Sequence, residues 1–335
     1  MNSGRIYRLQ HFIAWTRSKI YYLILISSIP TALYYFLELK WLAIPWVPVA
    51  LVGTATAFIA GFRNTQTYNR LWEARQIWGA IVNNSRAWGM MVKDMVRDED
   101  GAKEKTLHQD LIYRHFAWLT ALRFQLRESR VWENVKTKSY NREYLNYYKV
   151  PEWEDDLSDE LKKYMNDEEL KNILKKKNKA AQILALQSTR LRILNEQGKI
   201  NDLNYVEMQV LLKELYDQQG KSERIKNFPY PRQFASINVM FVYLLSIVLP
   251  LGFLSEFSKI GLEFVWLTIP ISVVVGWVFF TLEQVGESTE NPFEGGANDV
   301  PISSMSRAIE IDLRDMLGED NLPEPLVANS SNILM

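Results

Sequence analysis

The sequence contains no cysteine, only three histidines, and no excess of either charge, since 39 lysines and arginines balance 39 aspartates and glutamates over 335 residues. Without cysteine the chain has no disulfide, no thiolate metal site and no cysteine nucleophile. Zero net charge argues against a nucleic-acid partner, which usually meets a basic surface. P-loop, GxGxxG, GxSxG and HExxH motifs are also missing, so we expect neither an enzyme nor a bound cofactor.

Charge is missing altogether from four stretches of 18 to 23 residues, which are 20–37, 41–62, 233–255 and 264–282. A helix needs about 20 mostly apolar residues to cross the hydrocarbon core of a bilayer. Four such stretches in two close pairs favour transmembrane helices over buried helices of a large soluble core. The prediction is an all-α integral membrane protein with four spans per subunit.

The residues before the first stretch predict the orientation of the chain. Arg5, Arg8, Arg17 and Lys19 precede it without an acidic residue, and positive charge is retained on the cytoplasmic side. We therefore expect a multi-pass protein of the inner (plasma) membrane with both termini in the cytoplasm. The expected parts are an N-terminal segment with two spans, a cytoplasmic helical region, two further spans, and a C-terminal cytoplasmic belt and tail, at 1–62, 63–232, 233–285 and 286–335.

The polar middle of the chain has the pattern of buried helices and solvated surface. Apolar residues recur at intervals of three to five, as one face of a helix requires, at Leu111, Phe116, Leu119, Leu122 and Leu126. The charge-dense segment 154–179 is interpreted as a solvated surface helix rather than an interaction site. His108 and His115 lie seven residues apart without an evident carboxylate partner, so we interpret them as packing residues and expect no metal site.

The second stretch places three side chains on one line. Thr54, Phe58 and Phe62 stand at i, i+4 and i+8 and therefore share a helix stripe. In a symmetric oligomer this stripe could line the axis, where apolar constrictions can gate by dewetting; the alternative is that both phenylalanines pack against neighbouring spans. Pro45 and Pro48 can set the start of the helix, and helix N-termini attract anions without a fixed charge.

None of the four stretches contains an acidic or basic side chain. Proton-coupled pumps and transporters usually place such groups within the membrane. This absence favours a passive pore, or a pore built by several subunits.

Short motifs follow one another along nearly the whole chain. They are Phe62–Arg75 with Trp78-Gly79, Arg114-His115, Ala121-Leu122-Arg123, Asp217–Gly220, Glu223-Arg224-Ile225, Pro229–Pro231, Asn291-Pro292-Phe293, Asn298–Pro301 and Ile309–Leu313. Together, and in this order, they resemble the bestrophin family in its bacterial branch.

The resemblance implies a homopentameric ion channel in which the second span lines a hydrophobic neck of three rings. Matched through Arg70 and Trp72, those rings fall on Thr54, Phe58 and Phe62. Thr54 departs from the all-apolar neck of the family, so the restriction is expected to rest on the two phenylalanines. The family's second constriction, at the cytoplasmic exit, falls on Leu203, with Ile200 as the nearby alternative.

The resemblance also bears on calcium. Animal bestrophins carry a calcium clasp after the Asn-Pro-Phe motif, built from an acidic cluster. Asn291 and Asp299 match that pattern, but 294–298 supplies no acidic run, and calcium commonly takes several carboxylate ligands. We therefore predict no tight calcium site, and interpret Asn291-Pro292-Phe293 as a belt segment that caps the fold and wraps onto a neighbour.

The favoured function is a passive channel for anions such as chloride, whose partners are inorganic ions, the lipid bilayer and further copies of the chain. A cation (sodium) selective channel of the same fold is one alternative, because phenylalanine edges favour anions whereas their faces favour cations. A second alternative is a membrane-anchored scaffold or sensor, in which 63–232 binds a partner.

Overall fold

The computed structural model describes residues 1–97 and 101–335, with side chains described from 107 onward in the second range. Residues 98–100 of the predicted cytoplasmic region lie outside this description. Apart from an isolated bridge between Asn2 and Ile333, the secondary structure of the described residues is helical, as predicted. The helices are α1 (Leu9–Phe36), α2 (Trp46–Met95), α3 (Gly101–Arg127), α4 (Ser139–Tyr144), α5 (Pro151–Glu154), α6 (Leu157–Lys162), α7 (Asp167–Leu174), α8 (Lys179–Glu196), α9 (Asp202–Asn227), α10 (Arg232–Ser258), α11 (Thr268–Thr289) and α12 (Ile302–Met316).

Helix α2 joins the apolar part of the molecule to the polar part. It runs for 50 residues without a break, and at 1.5 Å per residue its length is about 75 Å. It begins at Trp46 directly after Pro45, and Pro48 falls in its first turn, where proline is tolerated. The residues of the predicted neck and those of the polar core therefore sit on one continuous rod.

Three helical segments of the described chain are long and apolar enough to cross a membrane, namely Lys40–Met95, Arg232–Ser258 and Leu262–Thr289. They coincide with the second, third and fourth predicted spans. Helix α1 is not among them; its apolar stretch includes hydroxyl-bearing residues such as Tyr22, Ser27 and Thr31. It nevertheless packs along α10 and α11, which places it beside two of the membrane-crossing candidates.

Small residues allow these helices to approach closely. A Cβ added to Gly276 of α11 would overlap the side chain of Leu23 in α1. Ser27 and Thr31 of α1 are buried, and their hydroxyls donate to carbonyl oxygens one turn earlier, at 2.7 and 2.8 Å. Close packing of small and hydroxyl-bearing residues is the usual way in which helices associate in a bilayer.

The polar part has its own hydrophobic core. The second half of α2 packs on α9 and α12, and α3 packs on α8. Trp78, Trp88 and Trp118 are completely buried there. The predicted apolar face of α3, from Leu111 to Leu126, is buried in the same core. The charge-dense segment 154–179 is divided into short helices that include α6 and α7, and these helices bury Leu161, Leu170 and Ile173 in this core.

Helix α12 packs closely against α2 at Gly89. A Cβ at Gly89 would overlap the buried Leu313 side chain and lie 3.0 Å from Met316 Sδ, whereas a Cβ at Gly79 of the same helix would meet no atom within 4 Å. We predict that Gly89→Ala lowers the free energy of unfolding by about 1–3 kcal/mol through overpacking.

The matched control is Gly79→Ala, which should be neutral or stabilise by up to about 1 kcal/mol, because alanine is the better helix former. Thermal unfolding of the purified variants in one detergent measures both effects. Equal stability of the two variants would contradict the close packing of α12 on α2.

Candidate functional site

The candidate site is a line of side chains on α2 that the described part of the chain leaves largely uncovered. Thr54 is exposed, and Phe58 and Phe62 keep 76% and 44% of their surface accessible. The opposite side of the helix is buried at Thr56 and Ala60, where α2 packs on α10 and α11. The described residues therefore leave most of this stripe accessible over two turns of helix.

The three members of the stripe differ in their local contacts. Phe62 touches one ring, that of Phe234 in α10, with a centroid distance of 5.9 Å, whereas Phe58 protrudes. The Thr54 hydroxyl donates to the carbonyl oxygen of Ala50 at 2.9 Å. Its hydrogen is therefore taken up within the helix, and the threonine presents its methyl group and its oxygen lone pairs outward.

Directly after the stripe, Arg63 is buried in an ion-pair network. The guanidinium is 2% exposed, and it donates to Glu283 at 3.0 Å and to Glu290 at 2.8 Å. Arg232 also reaches Glu290, at 3.3 Å. A buried charge is tolerated only when it is paired and hydrogen-bonded, so these contacts fix the rotation of α2 about its own axis.

A second cation on α2 strengthens the same junction. Arg70 donates from Nε to the carbonyl oxygen of Glu290 at 3.0 Å, and from Nη2 to that of Phe228 at 2.8 Å. Between the two arginines, Gly286 of α11 lies so close to α2 that a Cβ there would overlap the Asn64 side chain. Helix α2 is thus held against the end of α11 at both arginines and at Asn64, and against the end of α9 at Arg70.

The sequence interpretation missed this network, although a signal for it exists. Arg63 is the first charged residue after the second apolar stretch, and Glu283 is the first after the fourth. Both stretches are predicted to end at the same face of the membrane. Two opposite charges that leave the bilayer side by side are expected to pair.

The two aperture candidates have opposite environments. Leu203 is 80% exposed in the first turn of α9, whereas Ile200 is 1% exposed and belongs to the polar core. Asn201 separates them and caps the helix, because its side chain accepts from the Asn204 amide at 2.8 Å. Ile200 precedes the helix and turns inward, so the aperture hypothesis now depends on Leu203 alone.

The segment from Asn291 to Asp299, the belt turn, wraps its backbone around one carboxylate. Asp299 accepts from the amides of Phe293, Gly295 and Val300 at 2.7–2.8 Å, and from the Arg127 guanidinium at 2.6 Å. Both carboxylate oxygens are thereby occupied. The turn is a backbone cap built around Asp299, within its own chain.

Backbone strain shows how tightly this turn is held. Phe293 adopts a φ of +71° with its ring completely buried, a conformation that costs free energy for a side chain other than glycine. Gly295 has a φ of +89°, and a Cβ there would lie 2.7 Å from the Trp153 ring. Pro292, between Asn291 and Phe293, is buried with them.

The belt turn is poor in free carboxylates. Burial raises the pKa of Glu294 well above its usual value. Its Oε2 accepts from the Asn134 amide at 3.0 Å. Among the described residues, no group of three or more histidine, cysteine, aspartate or glutamate side chains is placed to hold a metal ion.

The histidines pack in the core, as predicted. His108 Nε2 lies 2.9 Å from the Val96 carbonyl oxygen, and His115 Nε2 lies 2.9 Å from Ser85 Oγ. Burial lowers the pKa of His115 to about 3. His115 is therefore neutral, and the two rings serve separate contacts.

The Arg63 network predicts a large loss of stability when its cation is removed. Arg63→Gln leaves the buried Glu283 carboxylate without its cation and Glu290 with Arg232 alone, and we expect the free energy of unfolding to fall by about 3–5 kcal/mol. The control is Arg224→Gln, which breaks an exposed pair with Glu73 and should cost about 1 kcal/mol or less. Thermal unfolding in detergent compares them, and a similar small shift for both would refute the anchoring role.

Comparison with known proteins extends these observations to a family. Residues 13–315 match the family model described as Bacterial/Fungal Bestrophin protein. The chain is 28% identical over 276 residues, 82% of its length, to the voltage-dependent anion channel-forming protein YneE of Salmonella typhi, covering 78% of that protein. It is 27% identical over 280 residues to the protein of the same name from Escherichia coli K12, covering 84% of this chain and 79% of the relative.

A solved structure has the same fold. The crystal structure of a bacterial bestrophin homolog from Klebsiella pneumoniae aligns with a TM-score of 0.75 at 25% sequence identity, over 90% of this chain and 98% of that one. The family match covers most of the sequence and the fold agrees over nearly all of it. The chain therefore belongs to the bacterial bestrophin family.

Proposed function

We propose that this protein is a passive ion channel, rather than an enzyme, and that it conducts anions such as chloride through a neck formed by α2. The observation that carries the proposal is the exposed stripe of Thr54, Phe58 and Phe62. A monomer in a bilayer could leave Phe58 against lipid, but relatives of this chain from Salmonella typhi and Escherichia coli are named as anion channel-forming. At a symmetry axis, the stripes of neighbouring subunits would face one another and form an apolar constriction, and such constrictions can gate a pore by dewetting.

The proposed assembly is a homopentamer with four spans per subunit. Helix α1 would supply the first of these four spans, since it packs along α10 and α11 and carries no charge over 20–37. The N-terminus, the region 63–232 and the belt from 286 onward would lie in the cytoplasm, with the protein in the inner membrane. In this arrangement α2 carries the neck inside the bilayer, and the start of α9 brings Leu203 toward the cytoplasmic exit.

No fixed charge contributes to ion selectivity in the proposed neck. The apolar stretch of α2 is uncharged, and the nearest cation, Arg63, is neutralised by Glu283 and Glu290. Aromatic edges and backbone dipoles therefore remain as the groups that meet the ion. Phenylalanine edges carry partial positive charge and favour anions, and the start of α2 after Pro45 adds backbone amides with the same preference.

The reversal potential in a planar bilayer tests the ion choice. Under a tenfold KCl gradient we expect a shift toward the chloride equilibrium potential, up to about 59 mV for ideal selectivity of a monovalent ion. A shift of the opposite sign would establish the cation-selective alternative. If purified protein carries no current at all, the scaffold hypothesis replaces the channel.

The neck is tested by widening it. Phe58→Ala and Phe62→Ala each remove an aromatic ring from the stripe, so we expect a several-fold rise in single-channel conductance as the constriction wets. Phe58→Ala should have the larger effect, because Phe62 is partly covered by Phe234. Val274→Ala is the control, since this residue is exposed on α11, away from the stripe. Unchanged conductance in both phenylalanine variants would remove the stripe from the pore.

The oligomeric state is tested by mass. Native mass spectrometry of the detergent-solubilised protein should give the mass of five 39.2 kDa chains. A stable monomer or dimer would be incompatible with an axial pore of five stripes.

A further inference from the structure

The line of exposed side chains on α2 continues beyond the neck. Counted from Phe62, every seventh residue of the helix is exposed, at Asn69, Gln76, Asn83 and Met90. Seven residues complete two turns of an α-helix to within about 20°. Asn83 therefore still lies within about 60° of the direction of Phe62, at a distance of about 31 Å along the helix axis. Because α2 is continuous, the direction that is fixed at the neck is carried to all of these residues.

The chemistry of this line changes directly after Phe62. Its next three members, which we call the amide line, are Asn69, Gln76 and Asn83. None of their side chains makes a hydrogen bond or an ion pair with another described residue. A carboxamide carries two N–H donors and a carbonyl acceptor, and on the amide line all of these groups are left for whatever fills the space beside α2.

The charged side chains in this part of α2 lie beside the amide line. Three charged residues occur between 71 and 92. Glu73 pairs with Arg224 of α9, and Arg86 pairs with Asp312 of α12 at 2.7 Å. The third, Arg75, points about 100° away from the next residue, which belongs to the amide line. The line itself is therefore uncharged.

Other exposed helix faces of the polar part are built differently. Helix α6 exposes Asp159 and Lys162, and α7 exposes Glu168 and Lys171, as is usual for a face that meets only solvent. The exposed face of α2 is instead apolar up to Phe62 and bears neutral amides after it. This order matches a path that leaves an apolar constriction and enters a wider, hydrated space.

We propose that Asn69, Gln76 and Asn83 line the ion path on the cytoplasmic side of the neck. The proposal rests on the proposed channel and extends its path by about 30 Å along α2. An ion that leaves the apolar rings regains polar contacts there, and chloride accepts from the amide N–H groups. Because the amides carry no charge, they do not hold the ion as a fixed counter-charge would, and conduction requires that binding be weak enough for the ion to leave.

Carboxylates placed on the amide line test whether it faces the ion. Asn69→Asp, Gln76→Glu and Asn83→Asp keep the size of each side chain and add one charge per subunit. Because rings of carboxylates favour cations, we expect each variant to lower the chloride-to-potassium permeability ratio at least about fivefold. Reversal potentials of the full-length protein in planar bilayers under KCl gradients measure this ratio. The fall should be smaller near 1 M than near 0.1 M salt, because the Debye length shortens from about 10 Å to about 3 Å.

The matched control is Asn84→Asp. Asn84 carries the same side chain as its neighbour Asn83, is half-buried and points about 100° away from it. Its variant should keep the permeability ratio within about twofold of the wild type, since the added charge lies off the path. An equal fall for the two neighbouring variants would show a general effect of surface charge and would contradict the amide line.

A neutral substitution tests the role of the amide itself. Asn69→Leu keeps a similar volume but extends the apolar constriction by one ring, so we expect the single-channel conductance to fall at least about twofold. Unchanged conductance would remove the hydrating role that we assign to this amide.

The wild-type current separates this proposal from the proposed function. If the wild type conducts and the three carboxylate variants keep its permeability ratio, the amide line is wrong and the channel stands. If the wild type carries no current, the channel and the amide line are both wrong.

Discussion

The buried guanidinium of Arg63 is the contact on which the geometry of the pore depends. Its pairing with Glu283 and Glu290 leaves the side chain one direction in which it can point, toward the end of α11. Successive residues of an α-helix point about 100° apart. With Arg63 held inward, Phe62 and, one turn earlier, Phe58 are turned toward the uncovered side of α2. A buried charge network at the end of the apolar stretch of α2 thereby sets the orientation of the uncharged rings within that stretch.

The belt turn holds Glu290 in position for its contact with Arg63. Glu290 precedes Asn291 directly, so the carboxylate that binds Arg63 stands at the entry to the turn held by Asp299 and Arg127. The continuous helix α2 then carries the same register into the polar core, where α12 packs at Gly89. Because one helix carries the proposed neck, the ion pair and the core contact, a structural change in the polar part can be transmitted to the proposed neck without a separate linker.

The sequence predicted the helical class and the stripe, because both depend on local spacing that persists in the folded chain. The two aperture candidates came from the family resemblance and from no local pattern, and the folded chain places Ile200 before α9 and Leu203 in its first turn, on either side of the capping residue Asn201. The partners of Arg63 lie more than 200 positions away in sequence, and only the packing of α2 on α11 brings them together.

The central claim is that Phe58 faces a water-filled ion path. The complete lack of cysteine makes a single Phe58→Cys substitution the most direct probe, because no other thiol can react. Current is recorded before and after addition of a negatively charged, membrane-impermeant methanethiosulfonate reagent, whose sulfenyl sulfur is attacked by the thiolate of the introduced cysteine to form a mixed disulfide with release of methanesulfinate. Our account predicts a rapid, irreversible change in current that a Val274→Cys control does not show. Current through Phe58→Cys that is unaffected by the reagent would contradict it.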